Sequence, residues 1–470
     1  MRFAKFLTAF VVTSLSTTAI AQTPLRPDQT AFRALYKELV ETNTTPSVGS
    51  CTQAAAQIAT LMKAAGYSDK ELTLFSVPEH PKDGGLVAVL QGTSKKAKPI
   101  LLLAHIDVVE ANRADWTRDP FTLIEENGYF YARGVSDDKA QAAIWADSLI
   151  RYKAEGFKPK RTIKMALTCG EETSGAFNGA QWLTENRKDL IAAEYALNEG
   201  GGGRVDKDGK PQILAMQVGE KAYQDFTLEA TNPGGHSSMP RPDNAIYSLT
   251  AAVSKVAAYR FPVQFNDTTR SFFTKTASAL GGEAGVAITA LLADPSNEAA
   301  DAAVSRDPVL HSTLRTTCVA TLLSAGHATN ALPQRATANI NCRMFPGTAT
   351  EDVQAALAKA INDPLVTISP VGPPRPRAVP PPLSPKIMGP AEELGKKMFP
   401  GVPMLPIMST GATDAVFFGT IPMPVYGIAG IFYDADGGGI HGLNERIRTK
   451  SVYDGRDYLH QLVKLYSQQD

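Results

Sequence analysis

The sequence predicts an α/β protein, a mostly parallel sheet flanked by helices and interrupted by an inserted α+β sandwich. Three observations carry that prediction. Short apolar runs alternate with helical segments between residues 86 and 197, the pattern of a parallel sheet covered on both faces. After Gln217-Val-Gly-Glu-Lys221 the pattern changes to strand, helix, strand, strand, helix, strand, typical of a split βαβ sandwich. The proline-rich stretches Pro373-Pro-Arg-Pro376 and Pro380-Pro-Pro382 then form a stiff linker back to the first domain.

In chain order, Arg2 and Lys5 precede the apolar stretch Phe6 to Leu15, and Ala19-Ile20-Ala21 is an A-x-A cleavage signature. Residues 1–21 are therefore expected to be a secretory signal peptide, and the protein secreted or periplasmic. An anchor is the alternative, but a core of about ten residues falls short of the roughly 20 needed to span a membrane. Strands are expected at Leu86 to Leu90, Ile100 to Ala104, Thr162 to Leu167 and Tyr195 to Leu197, with helices at Lys139 to Glu155 and Ala176 to Arg187. Asp137 and Asp138 are placed to cap the first of these helices and Gly156 to end it. The sandwich should comprise Asp225 to Ala230, Ala245 to Tyr259, Cys318 to Ser324, Ala336 to Met344, Thr350 to Asn362 and Leu365 to Pro370. An alanine-rich helical insertion, roughly 264 to 312, separates its first helix from its second strand. The expected division is thus 1–21 leader, 22–221 and 377–470 the two parts of one domain, and 222–376 the inserted domain.

Composition sets further bounds. A chain of 470 residues, 43% hydrophobic and 20% charged, is globular rather than disordered or fibrous. Its 47 basic and 47 acidic side chains cancel, and loss of the leader leaves a net charge near −2, so no long-range field recruits nucleic acid or anionic lipid. With the leader removed, no segment favours a membrane. Four cysteines are too few for a disulfide scaffold. Cys318 and Cys342 would face each other if their strands pair with residue 324 opposite 336, giving either a cross-strand bridge or two buried thiols. Cys51 and Cys169 are expected to be small core residues.

The chemistry lies at the strand ends, where open α/β sheets bind their ligands. His105-Ile-Asp107, Gly170-Glu171-Glu172 and Asn198-Glu199-Gly200 close three of the expected strands, and Asp137 lies in a loop able to reach the same space. A lone carboxylate at a strand end is usually a solvated loop residue, but the coincidence of three such ends is not ordinary. One histidine with several carboxylates suits a borderline divalent ion such as zinc, and the surplus of acids points to two ions. Period-two geometry sends His105 and Asp107 to the same side, so Asp107 can hold the ring nitrogen that carries no metal. Neighbouring Glu171 and Glu172 point apart, so one can bind metal while the other serves a water as general base.

These residues resemble, in order, the motifs of the dinuclear zinc peptidases. That family includes glutamate carboxypeptidase, carboxypeptidase S, carnosinase-type dipeptidases, aminoacylase and succinyl-diaminopimelate desuccinylase. The similarity rests on His105-x-Asp107, Gly134-Val-Ser-Asp137-Asp138-Lys139, Gly170-Glu171-Glu172, Asn198-Glu199-Gly-Gly, Gly235-His236-Ser-Ser-x-Pro240 and Ile440-His441-Gly-Leu-Asn444-Glu445. It implies a catalytic domain with an inserted lid. It also implies Asp137 bridging two Zn2+ ions (Co2+ or Mn2+ able to substitute), His105 and Glu199 completing one and Glu172 and His441 the other. Glu171 becomes the base, Asp107 the orienter of His105, and His236 the lid histidine that stabilises an oxyanion, often across a homodimer joined through the lid. Asn330, Arg343, Gly411 and Thr413 look like the family's substrate-binding positions, with Arg343 holding a substrate carboxylate.

The resemblance implies an exported metallohydrolase that cleaves small peptides beside a free carboxylate, a carboxypeptidase or dipeptidase. An N-acyl amino acid deacylase is the alternative within the enzyme class, and an inactive homologue acting as a binding module lies outside it. A dinucleotide-binding oxidoreductase is disfavoured, since Gly200-Gly-Gly-Gly203 lacks the G-x-G-x-x-G spacing at a helix start.

Overall fold

The computed structural model describes residues 24–173, 177–372 and 378–470. The expected leader, the start of the helix expected at Ala176 and the linker Pro373 to Pro376 lie outside the described residues.

Leu101 to Ala104 are uncharged and buried on both faces, which drives Ile100–His105 to the centre of a sheet. Among the described residues the sheet has ten strands. Ile100–His105 runs parallel to Ile163–Thr168 on one side, with His105 opposite Thr168, and to Tyr195–Asn198 on the other. Parallel pairing brings the carboxyl ends of these three strands to one edge. The sheet is mixed, its parallel pairings joined by antiparallel ones towards the flanks. Leu72–Val77 and His80–Leu90 are joined by a tight turn, too short for a crossover, and add antiparallel strands at one flank. Beyond Val425–Gly427, the strand Pro211–Glu220 pairs antiparallel with Gly202–Val205 and parallel with Met404–Ser409.

Alternate side chains feed two cores. Leu102, Ala104, Met165 and Leu167 pack beneath the helices Pro27–Glu41, Cys51–Ala64, Lys139–Ala154 and Thr449–Ser467. Leu101, Leu103 and Ala166 pack with Leu183 and Phe418 on the other face. Lys139–Ala154 is buried on every side from Lys139 to Leu149, because it lies between the sheet and other helices. Asp138 occupies its N-cap position without a side-chain capping bond. Asp137 turns instead to two histidines.

A second sheet has the order Thr317–Ala325, Arg335–Met344, Ala222–Thr231, Val366–Pro370. Phe226, Leu228 and Ile340 on one face meet Leu249 and Leu357 from the helices Ala245–Ala258 and Thr350–Ile361. The elements match the expected strand and helix order. The insertion forms the helices Asp267–Leu280, Gly282–Ala293, Glu298–Val304 and Pro308–Thr313, with a small core of their own.

Of the two cysteine expectations, the structure bears out the cross-strand bridge and overturns the pair of lone core residues. Cys318 faces Cys342 in the ladder, and the two are bridged. The assumed register holds only at that end: Ser324 lies opposite Thr337, and an irregularity between Ala320 and Leu322 makes up the difference. Cys51 and Cys169 are not separate core thiols but a second disulfide, across 118 residues. It ties the start of the helix Cys51–Ala64 to the residue before Gly170-Glu171-Glu172.

Chain entropy makes the longer bridge the more stabilising. The model gives about 5 kcal/mol for the loop of 118 residues and about 3.5 kcal/mol for that of 24. Replacing Cys51 and Cys169 by alanine should therefore lower the denaturation midpoint more than the same change at Cys318 and Cys342, as measured by denaturant titration under oxidising conditions.

Candidate metal centre

His105 is the last residue of its strand, and its buried ring projects from the carboxyl edge of the sheet. Its Nδ1 lies 3.1 Å from the backbone oxygen of Asp107 and 3.5 Å from Asp107 Oδ1. Its Nε2 is 3.1 Å from Asp137 Oδ1 and 3.7 Å from Glu199 Oε1. The second oxygen of Asp137 faces the other way, 3.2 Å from His441 Nε2, which is also 2.8 Å from Glu172 Oε2. Two donor groups result, His105 with Asp137 and Glu199, and Asp137 with Glu172 and His441, each with its ligand atoms within 4.8 Å of one another. Asp137 belongs to both and offers one oxygen to each.

The electrostatics follow from crowding acids into a buried space. Burial alone would lower the affinity of His105 for a proton, but Glu199, Asp107 and Asp137 outweigh it and hold the ring well above its ordinary range. Hydrogen bonds to Asp137 and Glu172 push His441 up to about 10. Each histidine thus serves as a counter-charge that a divalent cation can replace, releasing protons as metal sites do. Burial pushes the Glu171 carboxyl up to about 9, with Asp414, Glu172 and Asp107 adding to it. Near neutral pH such a carboxyl holds a proton, and positive charge brought close, as by divalent ions on its neighbours, would be needed to leave it ionised as a base. Asp107 is held low: burial opposes this, and its hydrogen bond and charge contact with His105 overcome it. Its Oδ2 also accepts from the backbone N–H of Glu172, so one carboxylate steadies a residue of each donor group. The histidine and carboxylate donors, with one shared carboxylate, fit a pair of borderline divalent ions.

Glu445 was not among the residues expected to act at the site, although it closes the last motif. It is fully buried, and its carboxylate accepts from the backbone N–H groups of Gly134, Ser136 and Asp137 and from Arg133 Nη1 at 2.8 to 3.2 Å. The loop that presents Asp137 is therefore built around it. His441 and Asn444 on the same segment have φ of 58° and 54°, a left-handed conformation uncommon for non-glycine residues. Asn444 Oδ1 fixes the turn by accepting from Thr117.

The remaining expected residues fall into two places. Thr413 follows Gly411 in the loop after Met404–Ser409, and its hydroxyl accepts from Asn198 Nδ2 beside Glu199 and donates to Glu220. Asp414 moors that loop to Thr168 and Asn178. His236 and Asn330 lie together on the second sheet's side of the molecule. Gly235 and His236 pair with Leu332 and Ala331, and Ser237 N–H donates to the Asn330 oxygen. Both residues are exposed, and among the described residues His236 Nδ1 meets Ser238 rather than the donor groups. Arg343 stacks over Tyr223, 4.9 Å from the ring centroid.

Residues 101–465 match Peptidase family M20/M25/M40, and the chain belongs to that family. It is a hydrolase of the metallopeptidase class. The chain is 29% identical over 390 residues to a probable carboxypeptidase S-like 2 of Dictyostelium discoideum, covering 81% of this chain and 74% of that one. It is 30% identical over 376 residues to the N-fatty-acyl-amino acid synthase/hydrolase PM20D1 of Xenopus tropicalis, covering 77% and 71%. Its fold resembles an M20 metallo-carboxypeptidase from Sulfolobus solfataricus, with a TM-score of 0.69, 19% identity, and coverage of 94% and 100%. Human carnosine dipeptidase 1 gives a TM-score of 0.64 at 14% identity, with coverage of 95% and 100%.

Glu445→Gln should weaken divalent metal binding by about 10- to 100-fold, because an NH2 group replaces one of the two acceptor oxygens and the charge facing Arg133 is lost, while every expected ligand stays in place. Metal content after dialysis against graded chelator would measure this, and wild-type retention would reduce Glu445 to a packing role.

Proposed function

We propose that the protein is a di-metal hydrolase, most simply with zinc, that cleaves the amide bond of a small peptide beside a free carboxylate. The observation that carries the proposal is Asp137, whose two oxygens face separate donor groups. A Bacillus subtilis relative of this fold is described as a dinuclear metal-binding peptidase of the M20 family. His105, Asp137 and Glu199 would hold one ion and Asp137, Glu172 and His441 the other. Bound ions of this kind acidify a water and polarise a carbonyl.

The chain's own residues supply the rest. Glu171, ionised beside the bound ions, takes a proton from the attacking water and delivers it to the leaving amine. Asp107 keeps the Nδ1 side of His105 occupied, so the ring presents Nε2 to the shared carboxylate. Arg343 binds the substrate carboxylate through its planar fork, and His236 reaches the oxyanion when the inserted domain closes or from a partner subunit. The 222–376 segment acts as a lid in this reading. A second reading, hydrolysis of N-acyl amino acids, is favoured by the PM20D1 relatives and keeps the same free carboxylate.

Glu171→Gln should lower kcat by about 10² to 10⁴ with bound metal unchanged, since it removes a base and no ligand. Steady-state rates with parallel metal analysis test this, and near-normal turnover would reassign the base. Amidating the substrate carboxylate should raise KM strongly in the wild type and add little in Arg343→Ala. Equal cleavage of amidated and free substrates by the wild type would remove the carboxylate requirement from the proposal.

A further inference from the structure

Glu171 and Glu172 are neighbours in the chain but are held in different ways. The side chain of Glu172 meets His441, and its backbone N–H donates to Asp107 Oδ2. Among the described residues no hydrogen bond holds the Glu171 carboxylate, so its position depends on the backbone that carries it. That backbone is pinched on either side. Gly179 N–H donates to the Cys169 oxygen at 2.7 Å. Gly170, with φ of 92°, passes so close to Phe177 that a Cβ would stand 1.9 Å from the Phe177 oxygen.

A single carboxylate from far along the chain closes the pinch. Asp414 is only 2% exposed. Its Oδ2 accepts from Thr168 Oγ1 at 3.0 Å, on the last residue of the strand that leads to Glu171. Its Oδ1 accepts from Asn178 Nδ2 at 2.7 Å, on the far side of the same segment. Asn178 Nδ2 also donates to the Gly170 oxygen at 3.1 Å, and Asn178 Oδ1 caps the helix Gly179–Asn186 by accepting from Gln181 N–H. Both oxygens of Asp414 and both amide protons of Asn178 are therefore committed to fixing the base of this segment. Hydrogen bonds to a buried carboxylate are among the strong ones.

From this geometry we infer that Asp414 is a positioning residue for Glu171, acting through Thr168, Asn178 and Gly170. The inference deepens the hydrolase reading and rests on Glu171 being its base. Glu445 and Asp107 restrain the two donor groups, whereas Asp414 restrains the group that moves the proton. Loss of Asp414 therefore separates turnover from metal binding, because Glu172 keeps its own bonds to Asp107 and His441.

Steady-state kinetics with parallel metal analysis test this, on whichever of an unblocked dipeptide and an N-acyl amino acid the metal-loaded wild type cleaves faster. Asp414→Ala should lower kcat by about 10- to 100-fold with KM and bound metal unchanged, the order expected when a reacting group is misplaced by up to about 1 Å. Asp414→Asn should recover most of that rate. Its amide oxygen can accept from Asn178, and its NH2 can donate to Thr168 Oγ1, which keeps its own proton for the Ala104 oxygen 3.3 Å away. In a Glu171→Gln background Asp414→Ala should cost nothing further. A loss of the same size in that background, or one that follows lost metal, would make Asp414 a general support of the fold and overturn the assignment. So would an Asp414→Asn variant as slow as Asp414→Ala, since charge rather than hydrogen bonding would then be what matters. Should Asp414→Ala fail to fold, Asn178→Ala is read by the same criteria. Near-normal turnover in Glu171→Gln removes the base and this assignment together, whereas a slow Glu171→Gln beside an unimpaired Asp414→Ala overturns the assignment alone.

Discussion

Mutual repulsion among carboxylates is the constraint on which the rest of the structure depends. Asp107, Asp137, Glu171, Glu172 and Glu199 converge at one edge of the sheet, and the side chain of Glu172 is only 4% exposed. Charges of one sign at such spacing in a poorly solvated site repel by several kcal/mol. Such a cluster survives folding only if the backbone leaves the acids nowhere else to go, and if cations or protons offset them. The parallel strands supply the first condition, because His105 and Thr168 end opposite each other and the neighbouring strand ends at Asn198 on the same edge. His105 and His441 supply part of the second.

The supporting residues then make sense as restraints on that cluster. Glu445 gathers three backbone N–H groups and an arginine around the Asp137 loop. Asp107 joins the two donor groups through His105 and the backbone of Glu172. The Cys51–Cys169 bridge anchors the segment entering Gly170-Glu171-Glu172 to a helix packed on one face of the sheet. None of these contacts touches the expected substrate, yet each removes a way for the acids to move apart.

Much of this was legible in the sequence because it is local. Strand-length apolar runs at 100–104 and 195–197 lie within one or two residues of their observed ends, and period-two geometry put His105 beside Asp107. The Cys318–Cys342 pairing was reachable because its hairpin is short, although the irregularity at residue 321 was not. The Cys51–Cys169 bridge was out of reach, since its 118-residue separation carries no periodic signal. Glu445 was missed for a related reason: its value lies in four donors about 310 residues earlier in the chain. The helices Pro27–Glu41 and Pro385–Met398 also went unread, although each carries an apolar stripe that the fold buries.

The long reach of His441 and Glu445 back along the chain has a consequence for folding. Bonds from this segment reach back 269 residues to Glu172 and 309 to Ser136. A growing chain can complete the strands that bear His105, Glu172 and Glu199, and even the whole second sheet, while one of the two donor groups still lacks its histidine. The acids are then gathered before their last restraint exists, which is the kind of long-range closure that slows folding and prolongs exposure of unfinished surfaces. The second donor group is thereby complete only once His441 has docked against Asp137 and Glu172.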